Sequence, residues 1–121
     1  MNDTPADSLE HLRRKLAEFA RRREWEQFHS PKNLAMALIA EAAELVEHFQ
    51  WLSEEQSRGL PADKLAEVRL ELADILIYLI RTADRLDIDL IAAAEDKIAI
   101  NERRYPVEKV RGKAKRAADY D

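Results

Sequence analysis

The stretch ELADILIYLI, residues 71–80, decides the fold, because its apolar residues surround two carboxylates at helical spacing. Glu71 and Asp74 stand at positions i and i+3, so an α-helix would place them on one face, a single turn apart. The same face would carry Val68, Ile75 and Tyr78. The pattern therefore predicts a long helix that turns both acids toward the interior.

A second acidic pair lies thirty positions earlier, in EAAEL at residues 41–45. Glu41 falls within about 60° of an apolar stripe on its helix, and Glu44 lies on the flank of that stripe. The stripe consists of Leu34, Leu38, Leu45 and Leu52. The solvent-facing side belongs to other residues, such as Glu47 and Gln50. A second helix is thus predicted to turn two more acids inward.

Capping signals place the first two helices. Asp7 followed by Glu10 resembles a capping box and predicts a helix over about residues 8–23. Ser30 and Pro31 supply an N-cap and a proline at the first helical position. The second helix is expected to run from there to about residue 52. The segment WEQFHSPKN is the connector between the two.

Two further helices follow a polar loop, SEEQSRGLPAD, that contains both glycine and proline. The third is predicted over about residues 63–85, and Asp87 or Asp89 caps a fourth that ends near Tyr105-Pro106. We therefore predict an all-α, four-helix bundle-like domain over residues 1–106. Residues 107–121 are charged and nearly aperiodic, and are expected to form a loose tail.

The composition excludes several classes of function. Of the 121 residues, 36% are charged and the net charge is −4, so binding to nucleic-acid polymers or anionic membranes is not expected. The absence of cysteine removes disulfides, thiolate nucleophiles and cysteine-type zinc sites. The N-terminus lacks the basic and apolar segments of a signal peptide, and no apolar run is long enough to span a membrane. A cytoplasmic location is therefore expected.

Four inward-facing acids require a cationic partner, because burying even one unpaired carboxylate costs several kcal/mol. No Lys or Arg lies on the stripe of the second helix, and Lys64 and Arg85 lie near the ends of the third. A metal ion is the better partner, and ligation by oxygen alone favours Mg²⁺, or Mn²⁺, over zinc. A ferritin-like di-iron site would need Glu-x-x-His pairs, whereas Leu45 stands at that spacing from His48. The predicted ligands are Glu41, Glu44, Glu71 and Asp74.

A magnesium site of this kind indicates phosphate chemistry. Mg²⁺ bound by few carboxylates keeps several waters and completes its shell with substrate phosphates. Four acids can also hold more than one ion, which would clamp a phosphoryl displacement from both sides. This spacing does not identify the substrate.

The chain resembles the all-α nucleoside triphosphate pyrophosphohydrolases of the MazG-like group, whose ExxE and ExxD motifs match EAAEL and ELADILIYL. The segments REWEQFHSPKNLAMAL, FQWL and DKIAINERRYP look like the dCTP pyrophosphatase branch, so the resemblance covers about Leu12 to Pro106. It implies hydrolysis of a nucleoside triphosphate between the α and β phosphates, giving the monophosphate and pyrophosphate. It also implies that the four acids bind Mg²⁺ and that a metal-activated water attacks.

The resemblance further implies where the substrate binds. Aromatic faces stack on bases, and the positions that match the nucleoside pocket are Trp25, Phe28, His29, Trp51 and Tyr78. The positions that match the phosphate-binding segment are Lys97, Asn101, Arg104 and Tyr105. Packing in a core or interface is the competing interpretation of the two tryptophans. Leu16 stands where the animal dCTP enzymes have a histidine, which leaves modified or other pyrimidine nucleotides open as substrates.

The third helix is apolar nearly all round from Ile75 to Ile80, which is more than a four-helix monomer could cover. A homo-oligomer is expected, either a dimer or a tetramer built from dimers. Two competing functions stay open. One is a non-catalytic helical oligomerisation or partner-binding module with vestigial acids. The other is a phosphoribosyl-ATP pyrophosphohydrolase, against which the WEQFH segment argues. Retention of all four acids with Lys97 and Asn101 favours a nucleotide pyrophosphohydrolase.

Overall fold

The computed structural model describes Pro5 and residues 8–120, and this part of the chain contains helices and turns but no strand. The α-helices are α1 Leu9–Arg22, α2 Pro31–Glu47, α3 Glu54–Arg58, α4 Ala62–Arg85, α5 Leu90–Arg104 and α6 Val107–Val110. Two 3₁₀ turns cover Glu26–Phe28 and Ala117–Tyr120. The predicted all-α class is confirmed. Over the described residues, no helix combines the length and apolar character needed to cross a membrane.

The chain forms two compact units, Met1–Asp87 and Ile88–Asp121. The first unit contains α1 to α4, and the second contains α5, α6 and the second 3₁₀ turn. The domain boundary near residue 106 stays a prediction. Beyond it, the segment expected to be a loose tail carries the single turn of α6 and the final 3₁₀ turn.

Serine side chains begin the first two helices. The Ser8 hydroxyl accepts a hydrogen bond at 3.0 Å from the amide three residues further on, and α1 starts after it. Asp7, the predicted cap, lies outside the described residues. The predicted cap of α2 is confirmed, because the Ser30 hydroxyl accepts a hydrogen bond from the Asn33 amide at 3.1 Å. Both hydroxyls satisfy amides that have no partner inside the helix.

The end of α1 is a Schellman motif, which directs the chain into the connector before α2. The amides of Glu24 and Trp25 donate to the carbonyls of Arg21 and Ala20 at 3.0 and 2.9 Å. Glu24 occupies the left-handed position of the motif, with φ of 55°. Glycine usually fills that position, because a Cβ atom is strained there.

The second helix is shorter than predicted, since α2 ends at Glu47 and not near residue 52. The next five residues form tight turns, in which the Leu52 amide donates to the Phe49 carbonyl at 2.9 Å. Ser53 sets the start of the next helix. It is extended, with φ −72° and ψ 166°, and forms a capping box with Gln56 that begins α3. The turns over residues 48–52 therefore separate α2 from α3.

The third and fourth predicted helices agree closely with α4 and α5. Asp89 is the N-cap of α5, and its Oδ1 accepts a hydrogen bond from the Ala92 amide at 3.1 Å. Of the two candidates for this cap, the structure selects Asp89. Asp87 instead adopts the left-handed conformation after the end of α4, with φ of 56°.

Helix α4 is the centre of the first unit, because it packs against both α1 and α2. The buried apolar residues among those described all lie in this unit: Ala20, Leu34, Val68, Ile80 and Ala83. Most other large apolar side chains of α4 are partly or largely exposed. The packing of α2 on α4 brings together the two helices that carry the acidic pairs.

Candidate functional site

Three of the four predicted metal ligands form one cluster between α2 and α4. Glu41 and Glu44 come from α2, Glu71 comes from α4, and their carboxylate oxygens lie within 4.8 Å of one another. The i, i+3 spacing puts the two glutamates of α2 on adjacent turns of one face. Asp74 stands one turn after Glu71 and is half-buried. We call these four residues the acidic cluster.

The acidic cluster is electrostatically strained. Burial, together with the neighbouring Glu44 and Glu71 carboxyl groups and the charge of Asp74, raises the pKa of Glu41 to about 7. Burial also raises the pKa of Glu71, with Glu44 and Asp74 acting in the same direction against the opposing Glu41 side chain. Without a cation, the cluster therefore binds a proton more readily than isolated glutamates do.

Two oxygens of the cluster are buried without a partner. Within the described residues, the Oε2 atoms of Glu41 and Glu71 are inaccessible to solvent and make no hydrogen bond. An unpaired buried carboxylate oxygen is costly, so its persistence in a fold indicates a missing partner. The donor set consists of carboxylate oxygens alone, which suits Mg²⁺ or Mn²⁺. These residues fit a divalent cation.

The predicted aromatic residues lie in the first unit, and several are accessible to a ligand. Trp25 precedes the first 3₁₀ turn, Phe28 is its last residue, and both are exposed, while Trp51 has 86% of its surface accessible. Tyr78 is half-buried on α4, one turn beyond Asp74. Trp25 also contacts the ring of Phe19 edge-on, with centroids 5.8 Å apart. Large aromatic rings exposed in this way favour ligand stacking over core packing.

The connector that carries several of the predicted nucleoside-binding residues is hydrogen-bonded to α4 through His29. The Arg81 guanidinium contacts His29 Nδ1, with Nε at 3.3 Å and Nη2 at 3.2 Å. Arg85 Nε donates to the His29 carbonyl oxygen at 3.0 Å. The His29 ring in turn meets Trp25 edge-on, with centroids 6.4 Å apart. Two arginines of α4 thus hold one short segment of the connector.

Sequence reasoning missed Arg81. Besides Lys64 and Arg85 near its ends, this helix carries a basic residue on its inner side, because Arg81 is buried with 4% of its surface accessible. Its signal in the sequence is an arginine directly after ILIYLI, seven residues beyond Asp74 and three beyond Tyr78. That spacing puts it on the same side of α4 as the acids.

The predicted phosphate-binding residues belong to the second unit. Lys97, Asn101 and Arg104 lie along α5 at positions i, i+4 and i+7, and Asn101 is half-buried. Tyr105 caps the helix, and its amide donates to the Asn101 carbonyl at 2.8 Å. The spacing puts the three α5 side chains on one face of the helix. Their role toward phosphate stays a prediction.

The fold and the cluster together define an all-α domain whose paired helices present carboxylates for a divalent cation. The sequence pattern of the MazG-like family matches residues 36–119. The chain belongs to the MazG-like family.

Characterised relatives cover most of the chain. It is 44% identical over 118 residues to dCTP pyrophosphatase 1 of Mus musculus. The aligned region covers 96% of this chain and 69% of the mouse protein. Identity to dCTP pyrophosphatase 1 of Homo sapiens is 43% over 115 residues. This alignment covers 93% of this chain and 68% of the human protein. The crystal structure of a pyrophosphatase from Archaeoglobus fulgidus superposes with a TM-score of 0.79 at 38% identity, covering 88% of this chain and 99% of that one.

Proposed function

We propose that this protein is a divalent-metal-dependent nucleoside triphosphate pyrophosphohydrolase. It hydrolyses dCTP, or a related modified pyrimidine nucleotide, to the monophosphate and pyrophosphate, and so removes such nucleotides from the cytoplasmic pool. The observation that carries the proposal is the acidic cluster, in which Glu41 and Glu71 each keep a buried oxygen without a partner. Relatives named dCTP pyrophosphatase 1 support the choice of substrate.

The acidic cluster would hold Mg²⁺, with Mn²⁺ as a substitute. A divalent cation there supplies positive charge against the phosphate oxygens and makes a water molecule more acidic. The net charge of the chain is −4, so its carboxylates alone would repel a triphosphate. By holding a divalent cation, the four acids would offset this repulsion and allow an anionic substrate to bind. Each of them acts by position and charge, and none forms a covalent bond to phosphorus.

The remaining predicted residues bind the two ends of the substrate. Trp25 and Trp51 offer exposed aromatic faces on which a base can stack. Phe28 and Tyr78 extend this apolar surface, and the Tyr78 hydroxyl supplies a polar group. Phosphate oxygens are the proposed ligands of the face of α5 formed by Lys97, Asn101, Arg104 and Tyr105. Cationic and amide donors are the groups that phosphates require.

A test of metal binding and hydrolysis decides between an enzyme and a non-catalytic binding module. Calorimetry of the full chain with Mg²⁺ and Mn²⁺ is expected to show binding that Glu44→Gln weakens. Glu47→Gln is the matched control, because it removes the same charge from an exposed position on α2 outside the cluster. A panel of canonical and modified nucleoside triphosphates should then show pyrophosphate release. Equal metal binding by the wild-type protein, Glu44→Gln and Glu47→Gln would contradict the assignment of the acidic cluster as the metal site.

We also propose that the protein is a homo-oligomer, either a dimer or a tetramer built from dimers. Four leucines recur every seven residues along α4 and its C-cap, and each keeps at least 41% of its surface accessible: Leu65, Leu72 and Leu79 of the helix, and Leu86 at the cap. A stripe with heptad spacing is the kind of surface that a second helix covers. The buried core of the first unit is small, which adds a reason for a partner surface.

Light scattering tests this assembly. At micromolar concentration the protein is expected to have a mass of two or four chains, and not the 14.0 kDa of one chain. Leu72→Glu should dissociate it, because the charge would be buried at the interface. Ala66→Glu, on another side of α4, is the control and should leave the mass unchanged. A wild-type protein of monomeric mass would overturn the proposal.

A further inference from the structure

Arg81 is a buried cation that joins His29 to an acid of its own helix. Its Nε and Nη2 contact His29 Nδ1, and its Nη1 donates to Asp84 Oδ2 at 3.2 Å. The second oxygen of Asp84 accepts a hydrogen bond from Arg13 of α1 at 3.0 Å. Both residues of the Arg81–Asp84 pair are therefore held by neighbours on other elements. An arginine fixed at several nitrogens in this way has one orientation available.

This geometry determines where the imidazole proton of His29 lies. A guanidinium has donors only, so the His29 Nδ1 that faces it must be an acceptor. A neutral imidazole with an acceptor at Nδ1 carries its proton on Nε2, and a protonated imidazolium would have no acceptor to offer. No hydrogen bond of Nε2 is found within the part of the chain that the structure describes. Nε2–H is thus a donor available to a ligand.

Charges around His29 favour the same state. Burial, followed by the charges of Arg81 and Arg85, lowers the pKa of His29 below its usual value, while Glu26 opposes this shift. Arg81 and Arg85 belong to α4, and Glu26 belongs to the 3₁₀ turn beside His29. At neutral pH the ring is therefore expected to be uncharged.

The position of His29 suits a contact with the base of a bound nucleotide. Arg81 follows Asp74 by seven residues on α4, which is roughly 10 Å along the helix axis. A nucleotide whose α-phosphate lies at the acidic cluster has its base at a comparable distance. His29 also lies against Trp25, one of the exposed rings on which a base can stack. A base stacked on Trp25 would therefore lie near the His29 ring.

We propose that Arg81 is a positioning residue that holds His29 as a neutral Nε2–H donor, and that this donor binds an acceptor atom on the pyrimidine ring. The acceptors of cytosine are O2 and N3. This inference rests on the proposed nucleotide pyrophosphohydrolase function for its ligand. It gives His29 a role in recognising the base and gives Arg81 no contact with the substrate.

Nitrogen-15 NMR of the histidine-labelled full chain tests the positioning directly. At neutral pH, His29 is expected to show an unprotonated Nδ1 and a protonated Nε2, with the signals assigned through the His29→Gln variant. In Arg81→Met the two tautomers should both appear and the pKa of His29 should rise, because a cation has been removed. A wild-type His29 that is protonated at Nδ1, or charged at neutral pH, would overturn the inference.

Kinetics separate a positioning role from a structural one. Arg81→Met should raise KM for dCTP about five- to tenfold, the scale of one lost hydrogen bond, with kcat within about twofold. Hydrolysis of inorganic tripolyphosphate, which has no base, should be unchanged. Arg69→Met is the control, because Arg69 is an exposed arginine of the same helix. Equal effects on dCTP and tripolyphosphate would overturn the inference.

A second variant keeps the test valid if Arg81→Met fails to fold. His29→Leu leaves the Arg81–Asp84 pair in place and should give the same rise in KM for dCTP. Where both fold, the double variant should be no worse than either single one, because the two residues act through one hydrogen bond. Additive losses would contradict this. If no nucleoside triphosphate is hydrolysed by the wild-type protein, the proposed function fails, and the NMR measurement still decides whether Arg81 sets the tautomer.

Discussion

Glu41 of α2 and Glu71 of α4 each bury one carboxylate oxygen, Oε2, that has no hydrogen-bond partner among the described residues. Two buried acceptors of like charge, on helices that pack together, oppose folding unless a cation lies between them. The pair therefore links stability to function in this protein. The same residues that destabilise the metal-free fold are those that would attract a divalent ion.

Replacing Glu71 by glutamine separates these two effects. Glu71→Gln keeps the shape of the side chain but removes one charge, so pyrophosphate release is expected to fall at least about a hundredfold. The metal-free variant should be as stable as the wild-type protein or more stable, because repulsion within the cluster is weaker. Thermal unfolding in EDTA and a pyrophosphate-release assay measure the two quantities. A fully active Glu71→Gln would show that the metal ligands are wrongly assigned.

The stability of the metal-free protein is expected to decrease as the pH rises from about 4.5 to about 7. The pKa of Glu41 is raised from 4.5 to about 7 in the folded state. Between these values the folded protein holds a proton that the unfolded chain has released, so raising the pH favours unfolding. Thermal unfolding in EDTA across this range measures the effect.

Glu41→Gln and added Mg²⁺ are the controls for this pH dependence. The variant lacks the titrating group, so its unfolding temperature should change less between these pH values. Mg²⁺ should stabilise the wild-type protein most at the upper end of the range, where the cluster has lost its proton and metal affinity is highest. A variant with the same pH dependence as the wild-type protein would exclude Glu41 as the source.

Trp25 is predicted to bind the base and not the phosphates. Trp25→Ala should raise KM for dCTP about tenfold, the scale of one lost stacking contact, and leave tripolyphosphate hydrolysis unchanged. Trp25→Phe retains an aromatic face, so its KM for dCTP should lie between those of the wild-type protein and Trp25→Ala. If KM changes equally for both substrates, Trp25 serves only packing against Phe19.

The Schellman motif at the end of α1 offers a stabilising substitution. Glu24 has φ of 55°, so Glu24→Gly should relieve strain and raise stability by about 0.5–1 kcal/mol. Asp87→Gly, at φ of 56°, should gain less, because a short polar side chain tolerates this conformation better than glutamate does. Urea denaturation of both variants measures the difference. A larger gain at Asp87 would contradict the strain argument.

Local patterns in the sequence were sufficient to predict the long helices and the inward acids, of which the structure groups Glu41, Glu44 and Glu71. Helical periodicity and capping signals act over a few residues, so the starts at Ser30 and Asp89 could be predicted. The apolar spacing continues to Leu52 and so predicts a later end for α2, whereas α2 ends at Glu47 and a separate capping box at Ser53 begins α3. Apolar spacing indicates which side of a segment is buried, and it does not indicate where helical hydrogen bonding ends.

Contacts between distant segments were beyond sequence reasoning. Arg81 and His29 are 52 positions apart, and nothing in either local pattern indicates that they meet. Their contact depends on how the connector after α1 packs against the end of α4. An arginine inside an apolar helix was the one available signal, since a buried arginine requires partners. The sequence could indicate that such partners exist but not which residues they are.

The bond that is broken in the substrate tests the central claim most directly. Phosphorus NMR of dCTP incubated with the protein and Mg²⁺ in ¹⁸O-labelled water locates the attacked phosphorus. If the acidic cluster directs water to the α-phosphorus, the products are labelled dCMP and unlabelled pyrophosphate, because the bridging oxygen leaves with the β-phosphate. Label in pyrophosphate would place the attack at the β-phosphorus. Orthophosphate as the first product would contradict pyrophosphohydrolysis altogether.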